Sequence, residues 1–161
     1  MTEPSVVNAS PLIFLAGAGL TELVQLAGTP VQIPRAVVEE IERFGPTDAT
    51  AQAVRGLDWL RVVEAVSPPA VIERWDLGAG ETAVLTWAYA HPGTTAILDD
   101  LAARRCANSL GIPVRGTLGL ILTAKRRRVI SAARPVLDQL RSAGMYLSNS
   151  VMNRALETVG E

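Results

Sequence analysis

Short apolar stretches, each followed by a helix-like segment, constrain the fold of this chain more than any other feature. Ser5-Val6-Val7, Val31-Gln32-Ile33, Leu60-Arg61-Val62-Val63, Thr95-Ala96-Ile97-Leu98 and Ile112-Pro113-Val114 read as strands. The first and fourth are apolar without polar–apolar alternation, and a strand with no polar side needs cover on both faces. Periodicity and capping signals predict helices over 11–18, 20–27, 34–44, 49–57, 68–75, 81–90 and 101–110, with three more over 117–127, 132–142 and 148–159. Pro11 and Pro34 stand at helix starts, and Gly28, Gly45-Pro46 and Gly111 at helix ends. Strands alternating with helices imply an α/β domain with a mainly parallel sheet of about five strands. Ligands of such sheets bind beyond the carboxyl ends of the strands, where the strand order reverses.

A chain of 161 residues that is 48% hydrophobic is long enough for one packed domain, expected over 1–161, and short for two. A formal net charge of −1 gives no global pull toward nucleic acid or anionic membrane. With one cysteine and one histidine, an intramolecular disulfide and a Cys/His zinc site are both excluded. The N-terminus lacks a basic leader-like region, and the apolar run beginning at Leu12 is too short to span a bilayer. A cytoplasmic protein without membrane contact is the expectation.

Several acids, and one amide, sit where a packed α/β domain has little use for them. Asn8 ends the first apolar strand, and Asp99-Asp100 end the fourth. In the helix over 34–44, Val37, Ile41 and Phe44 form the apolar stripe, Glu39 and Glu42 point away, and Glu40 lies on its edge. Glu81 precedes Val84, Leu85 and Ala88 by three, four and seven residues, so it opens a buried stripe. An ionised carboxylate there costs several kcal/mol on the order of a buried charge, or shifts its pKa, unless something cationic compensates. Each residue also has a plainer explanation. Glu40 could be a solvated flank residue, Glu81 a first-turn acid on the helix dipole, and one of Asp99-Asp100 a helix N-cap. Asn8 could close a turn over Ser10-Pro11.

Taken in order, five segments resemble one known family: Val6-Val7-Asn8-Ala9-Ser10-Pro11-Leu12-Ile13, Ile33-Pro34-Arg35-Ala36-Val37-Val38-Glu39-Glu40-Ile41, Gly78-Ala79-Gly80-Glu81-Thr82-Ala83-Val84-Leu85, Leu98-Asp99-Asp100-Leu101-Ala102-Ala103-Arg104 and Gly116-Thr117-Leu118-Gly119-Leu120-Ile121-Leu122. They resemble the PIN-domain ribonucleases, specifically a bacterial PIN-like branch related to the VapC-type toxins. The resemblance implies a three-layer α/β/α fold with acids gathered at one sheet edge around Mg²⁺ or Mn²⁺. It implies cleavage of single-stranded RNA, with a homodimer and a small cognate antitoxin as partners. By position it assigns Asn8, Glu81, Asp99 and Asp100 as metal ligands and Glu40, Glu81, Asp99 and Asp100 as catalytic residues, with Glu40 handling the attacking water. Hard divalent cations take oxygen ligands, which suits this set.

One departure bears on activity. Most of the family has aspartate at the end of the first strand, where this chain has Asn8, although asparagine is often seen in the resembled branch. An amide oxygen still ligates a hard cation, but without its charge the affinity for Mg²⁺ should fall. A PIN-like module that binds RNA or protein with weak or no cleavage is therefore the alternative. Substrate contacts are expected from Arg104 and from Lys125-Arg126, although basic residues at a helix end also complement its dipole. The low aromatic content, 4%, argues against an extensive base-stacking platform. Gly78-Ala79-Gly80-Glu81-Thr82-Ala83 formally matches a dinucleotide fingerprint. No buried strand precedes it, and Glu81 would set a negative charge where a pyrophosphate belongs.

Overall fold

The computed structural model describes residues 3–64 and 66–161, so residues 1, 2 and 65 of the expected domain lie outside the described residues. Strands β1 (Ser5–Val7), β2 (Val31–Pro34), β3 (Leu60–Val63), β4 (Thr95–Ile97) and β5 (Val114–Arg115) form one sheet in the order β3-β2-β1-β4-β5. Every pairing in it is parallel. The first three strands step one way across the sheet, and β4 then returns to the other side of β1. Strand order thus reverses between β1 and β4, which opens a crevice beyond their carboxyl ends.

Handedness sorts the helices. Right-handed crossovers set α1 (Ala9–Gly17), α2 (Arg35–Glu42) and α3 (Ala49–Arg55) to one side. The return to β4 sets α4 (Ala70–Glu73), α5 (Ala79–Ala90) and α6 (Leu101–Ser109) to the other. Helix α5 packs over β1, β2 and β4 and beside α6, and α1 packs on α3, α7 (Thr117–Arg126) and α8 (Arg134–Ser142), while α2 also meets α5, where Gly80 lies against Val37 and Glu40. A last helix, α9 (Asn149–Glu157), follows. The result is the three-layer α/β/α arrangement. Val6, Val7, Ala96, Ile97 and Leu98 are fully buried between helical layers that contribute Leu12, Leu15, Val84, Leu85, Leu120 and Ile121. Each such large side chain contributes about 1.5–3 kcal/mol of burial. Cys106 is core filler, and among the described residues no helix is long and apolar enough to cross a membrane.

Several boundaries differ from the expected ones. The helix expected at Pro11 begins at Ala9, because the first-turn amides of a helix lack intrahelical acceptors and a proline there sacrifices nothing. Thr21–Ala27 forms a 3-10 rather than an α-helix, as short connectors often do. The second long helix stops at Glu42, which leaves Phe44 half exposed instead of on the buried stripe. The fifth strand lies at Val114–Arg115 rather than at 112–114. Pro113 has no N–H to give to a ladder, so only its carbonyl is used, by Ala96. Helix α5 opens two residues early, at Ala79, and follows α4 rather than a strand. The dinucleotide fingerprint therefore lacks its context.

Candidate active site

The floor of the crevice is built around a glycine. Asn8 directly follows β1 and its backbone N–H donates to the Ile97 carbonyl of β4, which fixes it at the strand ends. The residue is 2% exposed, yet its Oδ1 has no hydrogen-bond partner. Among the described residues only one other buried side-chain oxygen shares that condition, Thr94 Oγ1, which precedes β4 at the opposite end of the sheet. Gly80, in the first turn of α5, lies against Asn8. A β-carbon at position 80 would sit 2.8 Å from Asn8 Oδ1 and 3.4 Å from Glu40 Oε2. The absent side chain lets the positive end of α5 approach the amide and the carboxylate together. Glu81 curls back over the same turn, its Oε2 2.6 Å from where a β-carbon on Gly78 would be.

Electrostatics confirm that these acids crowd one another. Burial, then the Glu81 charge, push the Glu40 carboxyl above its usual range, with Arg43 opposing. Neither Glu40 nor Glu81 has a hydrogen bond or ion pair with a described residue. Buried polar groups are ordinarily paired, so an orphaned amide oxygen beside two unpartnered carboxylates is a set of donors for a cation.

Asp99 is different. The Thr117 N–H donates to its Oδ1 at 2.8 Å and the Thr117 hydroxyl to its Oδ2 at 2.7 Å, so the first residue of α7 locks the carboxylate in place. Asp100 is the N-cap of α6, its Oδ2 accepting from Ala103 N–H at 2.9 Å. Arg104, one turn on, donates to the Leu98 carbonyl at 3.0 Å. A β-carbon on Gly116 would meet its Nη1 at 2.5 Å, so that glycine keeps the passage of Arg104 open. Thr117 was not singled out as a site residue in the sequence. Its signal was there, since a helix starting at the end of β5 must bring its first residues beside the end of β4.

A groove of about 730 Å³ runs from these acids along the molecule. Glu81, Asp99, Asp100 and Arg104 line one part, and Phe14, Arg115, Leu118, Leu122, Met145, Tyr146 and Leu147 line the rest. Of the expected substrate contacts, Arg104 lies here. Lys125 and Arg126 do not line the groove. Lys125 donates to the Ser131 carbonyl and pairs with Glu161, and Arg126 donates to the Thr158 hydroxyl. Their cations are engaged in holding the last helices.

The donor chemistry fits a hard divalent cation, for which oxygens alone suffice. Among the described residues no three Asp, Glu, His or Cys side chains form a ready ligand cluster. Asn8 would add an oxygen as an amide. It would join Glu81, Asp99 and Asp100, with Glu40 beside them and Asp99 held in place by Thr117.

No curated protein matches the chain. The fold is similar to that of a solved structure of the PIN domain endonuclease Utp24, at 12% identity and a TM-score of 0.53, covering 70% of this chain and 84% of that one. The sequence matches the PIN-domain family DUF3368 over residues 4–161. PIN domains are generally nucleases, so a nuclease-type function follows from the match. The chain belongs to the PIN-domain family.

Proposed function

We propose that the chain is a metal-dependent endoribonuclease that cleaves single-stranded RNA. The observation that carries this reading is the orphaned Asn8 Oδ1 against Gly80, beside the unpartnered carboxylates of Glu40 and Glu81. Mg²⁺ or Mn²⁺ held by Asn8, Glu81, Asp99 and Asp100 would neutralise phosphate charge and supply a nucleophilic water at neutral pH. Glu40 orients that water and takes its proton, with burial holding its carboxyl above the usual range. Thr117 keeps Asp99 from swinging away, and Arg104 offers a fixed cation to the phosphate. Asp100 serves through its free Oδ1, because Oδ2 caps α6.

The resemblance to VapC-type toxins supports a finer reading, a cytoplasmic toxin that works as a homodimer and is restrained by a small antitoxin. A second reading has its own observation. Asn8 is neutral and, among the described residues, no three acids converge, which favours a PIN-like module that binds RNA or protein with weak cleavage. Incubating the purified chain with a labelled RNA panel in Mn²⁺ and in EDTA separates the two. The nuclease gives Mn²⁺-dependent internal cuts that Glu81→Gln abolishes, whereas binding without cuts favours the module.

A further inference from the structure

The groove is lined by more than the acids, and the rest of its lining has a different chemistry. A few waters and a cation need only a small share of about 730 Å³, since each water takes roughly 30 Å³. The remainder has apolar walls from Phe14, Leu118 and Leu122 and a rim formed by residues 145–147. That rim joins α8 to α9 and is fixed at both ends. Gly144 turns the chain with φ +107°, Met145 N–H bonds to the Leu140 carbonyl at 3.0 Å, and Ser148 caps α9. Leu147 is buried and anchors the rim, while Tyr146, the next residue back, is 92% exposed. An aromatic ring held out on a fixed rim serves no packing role. It adds an exposed apolar ring to the lining of a groove that Arg104 and Arg115 also line.

We propose that Tyr146 and the apolar end of this groove form a subsite for one unstacked base of a single-stranded nucleic acid. The base lies next to the phosphodiester at the acids, and the two arginines contact neighbouring phosphates. This rests on the nuclease reading and deepens it. A base can reach an apolar groove only when it is free of its own partner, so the subsite selects single strands over duplexes. One ring suffices for one base, which reconciles the groove with a chain poor in aromatic residues.

The test uses a ten-nucleotide single-stranded RNA carrying 2-aminopurine, with phosphorothioate linkages to resist cleavage, titrated in Mg²⁺. Wild type and Tyr146→Phe should bind alike and quench the 2-aminopurine. Tyr146→Ala should bind about five- to a hundredfold more weakly, without the quench and with an unchanged salt slope. The ring is solvent-exposed, so folding should be untouched, and a circular dichroism melt confirms it. Equal affinity and quench in Tyr146→Ala would overturn the subsite and leave the nuclease reading standing. Equal affinity of the wild type for the matching RNA duplex would do the same. A wild type that binds neither strand nor duplex would overturn both.

Discussion

Glu161 and Glu40 are two carboxylates in opposite surroundings. Glu161 accepts the Ala133 and Arg134 N–H groups at 2.7 and 3.1 Å, and Lys125 Nζ lies 3.8 Å away. Those backbone donors, the Ala133 one foremost, hold its carboxyl below the usual range. Glu40 has no such donor, and burial and the Glu81 charge hold its carboxyl above that range. The first acid stabilises the fold, tying the start of α8 to the end of the chain's last helical segment. The second works against it. Acids of the second kind cluster at functional sites, which sets Glu40 apart from a carboxylate that only ties the fold together.

The sharpest way to break the contrast is to neutralise one acid of the pocket. Glu81→Gln should lower Mn²⁺-dependent cleavage by at least about a hundredfold and leave thermal stability equal or higher, because it removes repulsion and no hydrogen bond. Asp99→Asn should be as inactive but less stable, by about 1 kcal/mol, since it disturbs two bonds from Thr117. Matched melting and cleavage assays read both. A Glu81→Gln protein that melts earlier would assign Glu81 to the structural class.

Gly80→Ala tests the approach of α5. Alanine in a helix gains about 0.5–1 kcal/mol over glycine, but its methyl would crowd Asn8 Oδ1 at 2.8 Å, and overpacking costs about 1–3 kcal/mol. The net should be destabilising in a denaturant melt, with weaker Mn²⁺ binding. A stabilised variant would mean the pocket has room to give.

Asn8→Asp restores the charge most of the family carries. At an effective dielectric near 20, a dication about 4 Å from a carboxylate gains about 8 kcal/mol, and desolvation and repulsion from Glu40 and Glu81 cancel most of it. A net gain of about 1–2 kcal/mol, roughly tenfold in Mn²⁺ affinity, is expected by paramagnetic resonance of the free ion. Unchanged affinity would mean that Asn8 does not touch the cation.

The smallest effects lie in pH. Glu161 has a lowered folded pKa, so the native state binds fewer protons than the unfolded chain across that window. Its stabilisation is present above the unfolded value and lost as pH falls through the folded one. Glu40 has a raised folded pKa, so metal-free stability falls as pH rises from the unfolded value through the folded one. Near pH 7, Glu161→Gln should therefore melt below the parent and metal-free Glu40→Gln at or above it, with both differences shrinking in acid. Shifts of the same sign would erase the distinction.

Much of this is legible in the sequence. Val6-Val7 and Ala96-Ile97-Leu98 could only be doubly covered strands, which placed Asn8 and Asp99 at neighbouring ends, and the helical phase of Val37 and Ile41 left Glu40 half-buried. What stayed hidden depends on side-chain reach and backbone approach. Nothing local in Thr117 shows that it grips Asp99 from eighteen residues away. Lys125 and Arg126 look like a substrate clamp until Ser131, Thr158 and Glu161 fold back onto them. Gly80 matters only because Asn8 stands behind it.

The central claim is that Asn8, Glu81, Asp99 and Asp100, with Glu40 beside them, hold a divalent cation. Calorimetric titration of Mn²⁺ into the wild type and into a Glu40→Gln/Glu81→Gln double variant tests it directly. Saturable binding by the wild type, weakened at least about a hundredfold in a folded double variant, is the expected result. Equal binding by the two proteins, or none by either, would contradict it.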